Sequence, residues 1–134
     1  MPHALAGGMR ARNLHEIRVY REAQEARAAI FSLLKRPAFG KDVDLRSQLS
    51  RSARRIPPLI AEGYGQLTDR HIAVYLGRAR GSVEETIGHL EEAHQLNFIS
   101  TSELTELSDR YDHIGRMLTR WIIYLQKSDW TDRH

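Results

Sequence analysis

The chain has 134 residues and no cysteine, so it is long enough for one domain with a hydrophobic core, and disulfides and thiolate chemistry are excluded. No apolar run approaches the roughly 20 residues that span a bilayer, and the first ten residues lack a secretory signal, so no membrane contact and a cytoplasmic location are expected. The net charge is +3, but the charges are unevenly distributed along the chain. Residues 1–80 contain 15 Lys/Arg and 7 Asp/Glu, whereas residues 81–134 contain 5 and 10. This asymmetry indicates either contact with a polyanion or neutralisation of one half by the other, within or between subunits.

The first helix is predicted over residues 14–35, with Asn13 in position to cap its N-terminus. Its apolar residues share one broad face: Val19, Tyr20, Ala23, Ala26, Ile30, Phe31, Leu33 and Leu34. The segment "RPAFGKD" follows. Its proline and glycine end the helix, and Asp42 can begin the next one.

A second helix is predicted over residues 42–62, where apolar residues recur every three or four positions. They are Leu45, Leu49, Ala53, Ile56 and Ile60. The segment "EGYGQLT" ends this helix, because Gly63 and Gly65 tolerate the left-handed conformations of a turn.

The third helix is predicted over residues 69–96, with Thr68 as its cap and a clear core stripe. The stripe consists of Ile72, Leu76, Ala79, Val83, Ile87 and Leu90. On the other side lie Ala73, Gly77, Gly81 and Gly88. A glycine inside a helix costs up to about 1 kcal/mol relative to alanine, so this side is predicted to meet another backbone closely; the alternative is a weak, solvated face.

The fourth helix, residues 101–127, carries the strongest periodic pattern in the chain. Ser100 and Glu103 form a capping box at its start. A heptad seam with alternating spacings of three and four follows: Leu104, Leu107, Tyr111, Ile114, Leu118, Trp121 and Leu125. Met117, Trp121 and Tyr124 widen the seam on one flank beyond what a single bundle needs, so this flank is available to a second subunit.

Four amphipathic helices with short connections predict an all-α fold, an antiparallel up-down-up-down four-helix bundle. No segment alternates with a period of two, so no sheet is predicted. The expected organisation is a tail over residues 1–12, a bundle over 13–128 and a second tail over 129–134. Gly77, Gly81, Met117, Trp121 and Tyr124 are the predicted oligomer interface.

Catalytic and metal-binding patterns are largely missing from the sequence. One Glu-x-x-His pair, Glu91 and His94, is present, whereas a carboxylate-bridged metal site in a bundle uses two such pairs and two further glutamates. His94 is therefore expected to be a hydrogen-bonded histidine beside the core stripe. No phosphate-binding glycine loop and no nucleophile motif appear, so no catalytic residue, metal or cofactor is predicted, and an enzyme is not expected.

Basic residues concentrate on the second and third helices, and arginine suits phosphate because its planar fork donates paired hydrogen bonds. The candidate nucleic-acid-binding residues are Arg46, Arg51, Arg54, Arg55, Arg70, Arg78 and Arg80. The alternative is a solvated arginine face. No aromatic residues are interleaved with these arginines in the sequence to indicate stacking of single-stranded bases.

Three motifs carry a family resemblance that extends from about Leu14 to Leu125. They are Q-x-x-R at Gln48 and Arg51, "IP…IAEG" at residues 56–63, and "ARGS…E" at residues 79–85. The chain resembles the four helix bundle protein family, which includes proteins encoded in intervening sequences of bacterial large-subunit ribosomal RNA genes. That family is related to the accessory variability proteins of diversity-generating retroelements. Two positions depart from its pattern: Leu59 stands where asparagine is common, and Gln66 where arginine is common.

The resemblance implies a homopentamer with a basic surface, nucleic acid as a partner and, for the retroelement branch, a reverse transcriptase as a further partner. It implies no catalytic residue. It also places a proline of the family at Pro57, so "IPPLIAEG" is interpreted as a structural corner near the end of the second helix. Two functions remain open: a nucleic-acid-binding oligomer, accessory to reverse transcription or RNA processing, and a pentameric scaffold that binds another protein.

Overall fold

The predicted all-α fold with four helices is confirmed. The structure is a computed structural model that describes residues 4–5, 9–10 and 17–133. Its helices are α1 (Arg18–Leu33), α2 (Val43–Tyr64), α3 (Asp69–Gln95) and α4 (Thr101–Arg133). A short 3₁₀ helix, Pro37–Lys41, lies in the predicted break between α1 and α2.

The two ends of the chain differ from the predicted boundaries. Helix α4 continues to Arg133, so residues 129–133 are helical and not a tail. No proline or glycine follows the seam to stop the helix there. Asn13 lies outside the described residues, and α1 is seen from Arg18 onward.

The predicted N-terminal tail contains a short pairing of strands. Strands β1 (Ala4–Leu5) and β2 (Met9–Arg10) are antiparallel, where the sequence predicts no strand. Two residues per strand are too few for an alternating pattern to show in the sequence.

The predicted helix starts are confirmed by their hydrogen bonds. The carboxylate of Asp42 accepts the backbone N–H three residues on at 3.0 Å, and the hydroxyl of Thr68 does the same at 3.3 Å. At α4 the capping box is reciprocal: the Ser100 hydroxyl accepts from the Glu103 N–H at 3.1 Å, and the Glu103 carboxylate accepts from the Ser100 N–H at 2.8 Å. These side chains satisfy amides that have no partner inside the helix.

The helix ends use different turns from those predicted. Gly65 caps α2 with φ −80° and ψ −3°, so the expected left-handed turn at this glycine is wrong. The left-handed conformation occurs at Asn97, with φ 63°, after α3. There the amide of Phe98 donates to the carbonyl of Ala93 at 2.9 Å, which is the six-to-one bond of a Schellman motif.

The two prolines lie inside α2 and do not form a corner. The helix continues for six residues beyond Pro58 and ends at Tyr64, and the chain reverses only after that. Proline lacks the N–H that would bond the carbonyl four residues earlier, so the carbonyls of Ala53 and Arg54 lose these partners. Pro57 is buried and adds its ring to the core, whereas Pro58 is exposed.

The core contains the predicted stripes. All five stripe residues of α2 are buried, and Leu118 of the α4 seam is 0% exposed. Helix α3 packs extensively against both α2 and α4, while α1 packs more lightly against α2 and α4. Each helix therefore lies beside its neighbours in sequence, and α1 also lies beside α4.

Helices α2 and α3 approach closely at two points that the sequence patterns do not show. A Cβ atom at Gly63 would lie 3.1 Å from the Cβ atom of Tyr75. Farther along, the buried hydroxyls of Ser52 and Thr86 are 2.9 Å apart, and Thr86 also lies 2.8 Å from the carbonyl of Ser82. A glycine and a small polar pair thus set the α2–α3 spacing.

One end of the bundle joins α1 to α4 through side chains in the connections. The ring of Phe39 is 0% exposed and meets the ring of Phe98 edge to face, with 5.3 Å between centroids. Beside it, Arg36 forms a two-bond ion pair with Glu103. The bond from Arg36 is the main cause that lowers the pKa of Glu103 to about 2, and the Ser100 amide adds to it.

Candidate nucleic-acid interface

The seven predicted arginines are all exposed at the surface of α2 and α3. Within the part of the chain that the structure describes, none of them forms an ion pair with a carboxylate. By contrast, Arg18, Arg36 and Arg116 each pair with a glutamate or an aspartate. None of the seven guanidinium groups is therefore neutralised by a direct ion pair among the described residues, so their N–H donors remain available for phosphate.

The seven arginines do not form one continuous patch. Arg46 and Arg54 lie two turns apart on α2 and line the groove between α1 and α2. Arg70 and Arg80 line grooves between α3 and α4. Arg51 and Arg55 do not line the α1–α2 groove. The structure thus brings Arg46 and Arg54 together in one groove and Arg70 and Arg80 in another.

The α1–α2 groove combines positive charge with apolar surface. It has a volume of about 380 Å³ and is lined by Phe31, Leu34, Lys35, Val43, Arg46, Ser47, Ser50 and Arg54. Three of these side chains are cationic, two carry hydroxyls, and no lining side chain is acidic. Val43 is 70% exposed, which is a large exposure for a β-branched apolar residue.

Aromatic rings contact two of the predicted arginines. The guanidinium carbon of Arg54 lies 5.4 Å from the centroid of the Phe31 ring, and that of Arg27 lies 6.0 Å from the same centroid. Arg78 lies over Tyr75 at 5.1 Å. A guanidinium on a ring face keeps its N–H groups in the plane of the fork, so stacking orients the arginine and leaves donors for an anion.

The sequence patterns missed Phe31 and Lys35 as neighbours of the α2 arginines. Both lie on α1 or just after it, four positions apart, so they share one side of a helical turn. Their spacing is readable in the sequence, but the pairing with α2 depends on how the two helices pack.

The α3–α4 grooves have a mixed charge. Arg80 lines both of them, together with Arg116 and Arg120 in one and Arg70 in the other. Acidic side chains line the same grooves, namely Glu84, Asp112 and Asp69. Because opposite charges alternate there, this surface is a weaker phosphate site than the α1–α2 groove.

The residues of the predicted oligomer interface occupy two kinds of position in the single chain. Gly77 and Gly81 are exposed, and a Cβ at either position would meet nothing within 4 Å, so no backbone in the described part of the chain approaches them. Trp121 is only 7% exposed and belongs to the core, because it lies on the α4 seam itself. Met117 and Tyr124 are partly buried against that core.

The two family departures and the single Glu-x-x-His pair have ordinary structural roles. Leu59 packs against the core, and the Gln66 side chain donates to the carbonyl of Glu62 at 2.9 Å. The ring of His94 is half-buried and lies 3.0 Å from the Thr101 hydroxyl, so it is the hydrogen-bonded histidine that the sequence predicts. In the described ranges, no three His, Asp or Glu side chains come together as a metal site.

These features define the class of protein, which is a small helical bundle with charged surface grooves. Among the described residues, no cluster of metal-ligating side chains is present. None of the helices in the described part of the chain has an apolar stretch long enough to cross a bilayer. The model of the 23S rRNA-intervening sequence protein family matches residues 15–120, and the chain belongs to this family.

A solved structure has a similar fold. It is a crystal structure of a protein of unknown function from the S23 ribosomal protein family of Bacteroides thetaiotaomicron. The two chains are 20% identical, with a TM-score of 0.71 over 78% of this chain and 97% of the other. Among curated proteins, none matches the chain significantly.

Proposed function

We propose that this protein is a non-catalytic helical oligomer that binds nucleic acid through the phosphate backbone. The observation that carries the proposal is the set of seven exposed arginines on α2 and α3 without a carboxylate partner among the described residues. Phosphate is one of the anions that guanidinium groups bind with paired hydrogen bonds. The family description refers to 23S rRNA intervening sequences, so RNA is the first polyanion to test. In this proposal, the protein would assist RNA processing or a reverse transcriptase.

The proposal includes an up-down-up-down arrangement of the helices. In α2 and α3, the later residue Gly63 lies near the earlier Tyr75, and the earlier Ser52 contacts the later Thr86. Contact positions that rise along one helix and fall along the other are those of an antiparallel pair.

The proposal also includes a homopentamer assembled through the outer surface of α3 and α4. Gly77 and Gly81 leave open space on this surface, and the nearby apolar residues Val74 and Ile123 are 46% and 45% exposed. A second copy of the chain would bury these side chains and fill the space over the glycines. Close packing between subunits would therefore explain the two glycines, which the contacts within a single chain do not explain. Arg70 and Arg80 line the same groove as Val74 and Gly77 and would lie at this contact, whereas the α1–α2 groove lies outside it. A ring would repeat the α1–α2 groove around its axis, so modest single contacts would add in parallel.

The test of binding is a salt titration with the variant Arg51→Gln/Arg54→Gln/Arg55→Gln. Glutamine keeps the helix propensity of α2, and no core atom is removed. Affinity should fall to a similar extent for all RNA sequences, and the slope of log K against log salt should flatten by about 0.7 to 0.9 for each lost phosphate contact. The matched control, Arg110→Gln/Arg116→Gln/Arg120→Gln, removes the same charge from exposed positions of α4 and should change the slope less.

Two outcomes would contradict nucleic-acid binding at this surface. One is wild-type protein that binds no polynucleotide at low salt, which would favour the protein scaffold. The other is an equal change of slope in both triple variants, which would show only a response to net charge.

The test of assembly is the mass in solution, which should be about five times the chain mass of 15.4 kDa. Gly81→Leu should weaken assembly, because its side chain would occupy the contact between subunits, while the fold of each chain tolerates it in open space. A protein that stays monomeric over a wide concentration range would contradict the pentamer.

A further inference from the structure

We infer that the α1–α2 groove binds the unpaired bases of single-stranded nucleic acid, with RNA as the first substrate to test. This inference rests on the proposed function and extends it, because it assigns a site and a strand state. The groove holds both parts of such a site: cations for phosphates and an apolar, partly aromatic surface for bases.

The cationic part consists of Arg46 and Arg54 on α2 and Lys35 at the end of α1. Arg46 and Arg54 are eight residues apart, which is about 12 Å along a helix. Phosphates of a stacked strand follow each other at about 3.4 Å along the axis, so the two arginines would bracket about three nucleotides.

The apolar part consists of Phe31, Leu34 and Val43, and its composition separates this groove from the others. Val43 is 70% exposed at the first position of α2, where nothing in the fold requires a β-branched apolar residue. Phe31 is only partly buried and is flanked by the guanidinium groups of Arg54 and Arg27. A base could therefore stack on the outer plane of the Arg54 guanidinium, which the Phe31 ring holds in place.

A duplex cannot use this part of the groove, because its base faces are stacked inside the helix and only its phosphates are accessible to a shallow surface. An acidic peptide would satisfy the cations, but flat apolar faces that alternate with single negative charges are the property of an unpaired strand. The hydroxyls of Ser47 and Ser50 add hydrogen-bonding groups within the same groove, suited to ribose or base edges.

The experiment compares three probes with the same number of phosphates at one salt concentration. They are a mixed-sequence RNA strand of about 12 nucleotides with one 2-aminopurine, the same strand with abasic sites at its centre, and a shorter duplex with the same total number of phosphates. The two single strands lie within the about 4 to 16 nucleotides typical of single-strand sites. The base-bearing strand should bind about fivefold or more tighter than the abasic strand, since one stacked base contributes at least that factor. The 2-aminopurine fluorescence should change on binding.

Variants of the apolar part test the location. Phe31→Leu keeps an apolar side chain against the core and should remove most of the preference for the base-bearing strand, with an unchanged salt slope, whereas Phe31→Tyr should keep it. Val43→Thr provides a second variant that does not touch the core. Its control is Leu67→Thr, a loss of apolar surface at a residue that is 88% exposed and outside the groove.

The possible results separate this inference from the proposed function. Equal binding of the base-bearing and abasic strands, with a steep salt slope, would overturn the groove as a base site and leave phosphate binding intact. A preference for duplex, or a Val43→Thr variant that keeps the full base preference, would overturn it as well. An acidic peptide that binds the groove while RNA does not would overturn both proposals.

Discussion

Gly63 provides a sharp test of the packing between α2 and α3. In Gly63→Ala, the new Cβ would lie 3.1 Å from the Tyr75 Cβ and 3.5 Å from a methyl group of Leu76. Carbon atoms prefer about 3.5 to 4.0 Å, so α2 and α3 must separate by several tenths of an ångström. The Tyr75 Cβ is fixed to its own backbone and cannot rotate away, so the strain spreads into the packing around Ile72 and Leu76.

The expected loss for Gly63→Ala is about 1 to 2 kcal/mol. Overpacking of a core contact costs about 1 to 3 kcal/mol. Alanine returns at most about 1 kcal/mol of helix propensity, and less here because Gly63 lies next to the last residue of α2. Thermal unfolding at one fixed protein concentration should show a decrease of several degrees in Tm.

Gly88→Ala is the matched control for this substitution. Among the described residues, a Cβ at Gly88 would meet nothing within 4 Å, so only the propensity gain applies and Tm should rise slightly. If Gly63→Ala is as stable as Gly88→Ala, the close approach of α2 and α3 at this glycine is refuted.

Two further predictions concern the core. Leu118→Asp would bury an unpaired charge at a position that is 0% exposed and should prevent folding. The control Leu67→Asp, at a position that is 88% exposed, should still fold. If circular dichroism shows that the Leu118→Asp protein is folded, the bundle core described above is excluded. In a double-mutant cycle, Ser52→Ala and Thr86→Val should each lower the free energy of unfolding by about 0.5 to 1.5 kcal/mol. The double variant should lose less than the sum of the two, because the two hydroxyls share one hydrogen bond. Strict additivity would contradict that bond.

The sequence was sufficient for the fold because the fold depends on local spacing. The stripe on α2, the seam on α4 and the three N-terminal caps are each written within a few neighbouring positions, and all are confirmed. The prediction of a corner at Pro57 and Pro58, which rested on the low helix propensity of proline, was wrong. Burial of the Pro57 ring and the continuing apolar stripe outweigh the two missing hydrogen bonds.

Contacts between helices were not predictable in the same way. The Ser52–Thr86 bond joins residues 34 positions apart, and Phe31 meets Arg54 from another helix. Such pairs depend on which faces of two helices meet, and helical periodicity gives the face of each helix without the register between them. For this reason the sequence predicted the arginines of the candidate site and missed its aromatic part.

The Arg36–Glu103 ion pair gives a last prediction, on acid stability. The folded state lowers the pKa of Glu103 to about 2, from an ordinary value of 4.5, mainly through the bond from Arg36. A group whose pKa is lowered by folding stabilises the protein above its unfolded pKa, and this contribution is lost as pH falls. The stabilisation should therefore be complete above about pH 5 and decline as the pH decreases from 4.5 towards 2.

Glu103→Gln is the suitable variant, because glutamine can still accept the Ser100 amide bond of the capping box while the charge is removed. The side chains of Arg36 and Glu103 are 45% and 30% exposed, so solvent screens the pair and the expected loss at pH 7 is about 1 kcal/mol or less. Urea unfolding at a series of pH values should show wild type and variant converging as the pH approaches 2. A difference that stays constant over this range would mean that the contribution comes from the cap and not from the charge. Since Arg36 follows α1 directly and Glu103 lies in the first turn of α4, the same ion pair helps to hold the most lightly packed helix, and with it the α1 wall of the groove, in place.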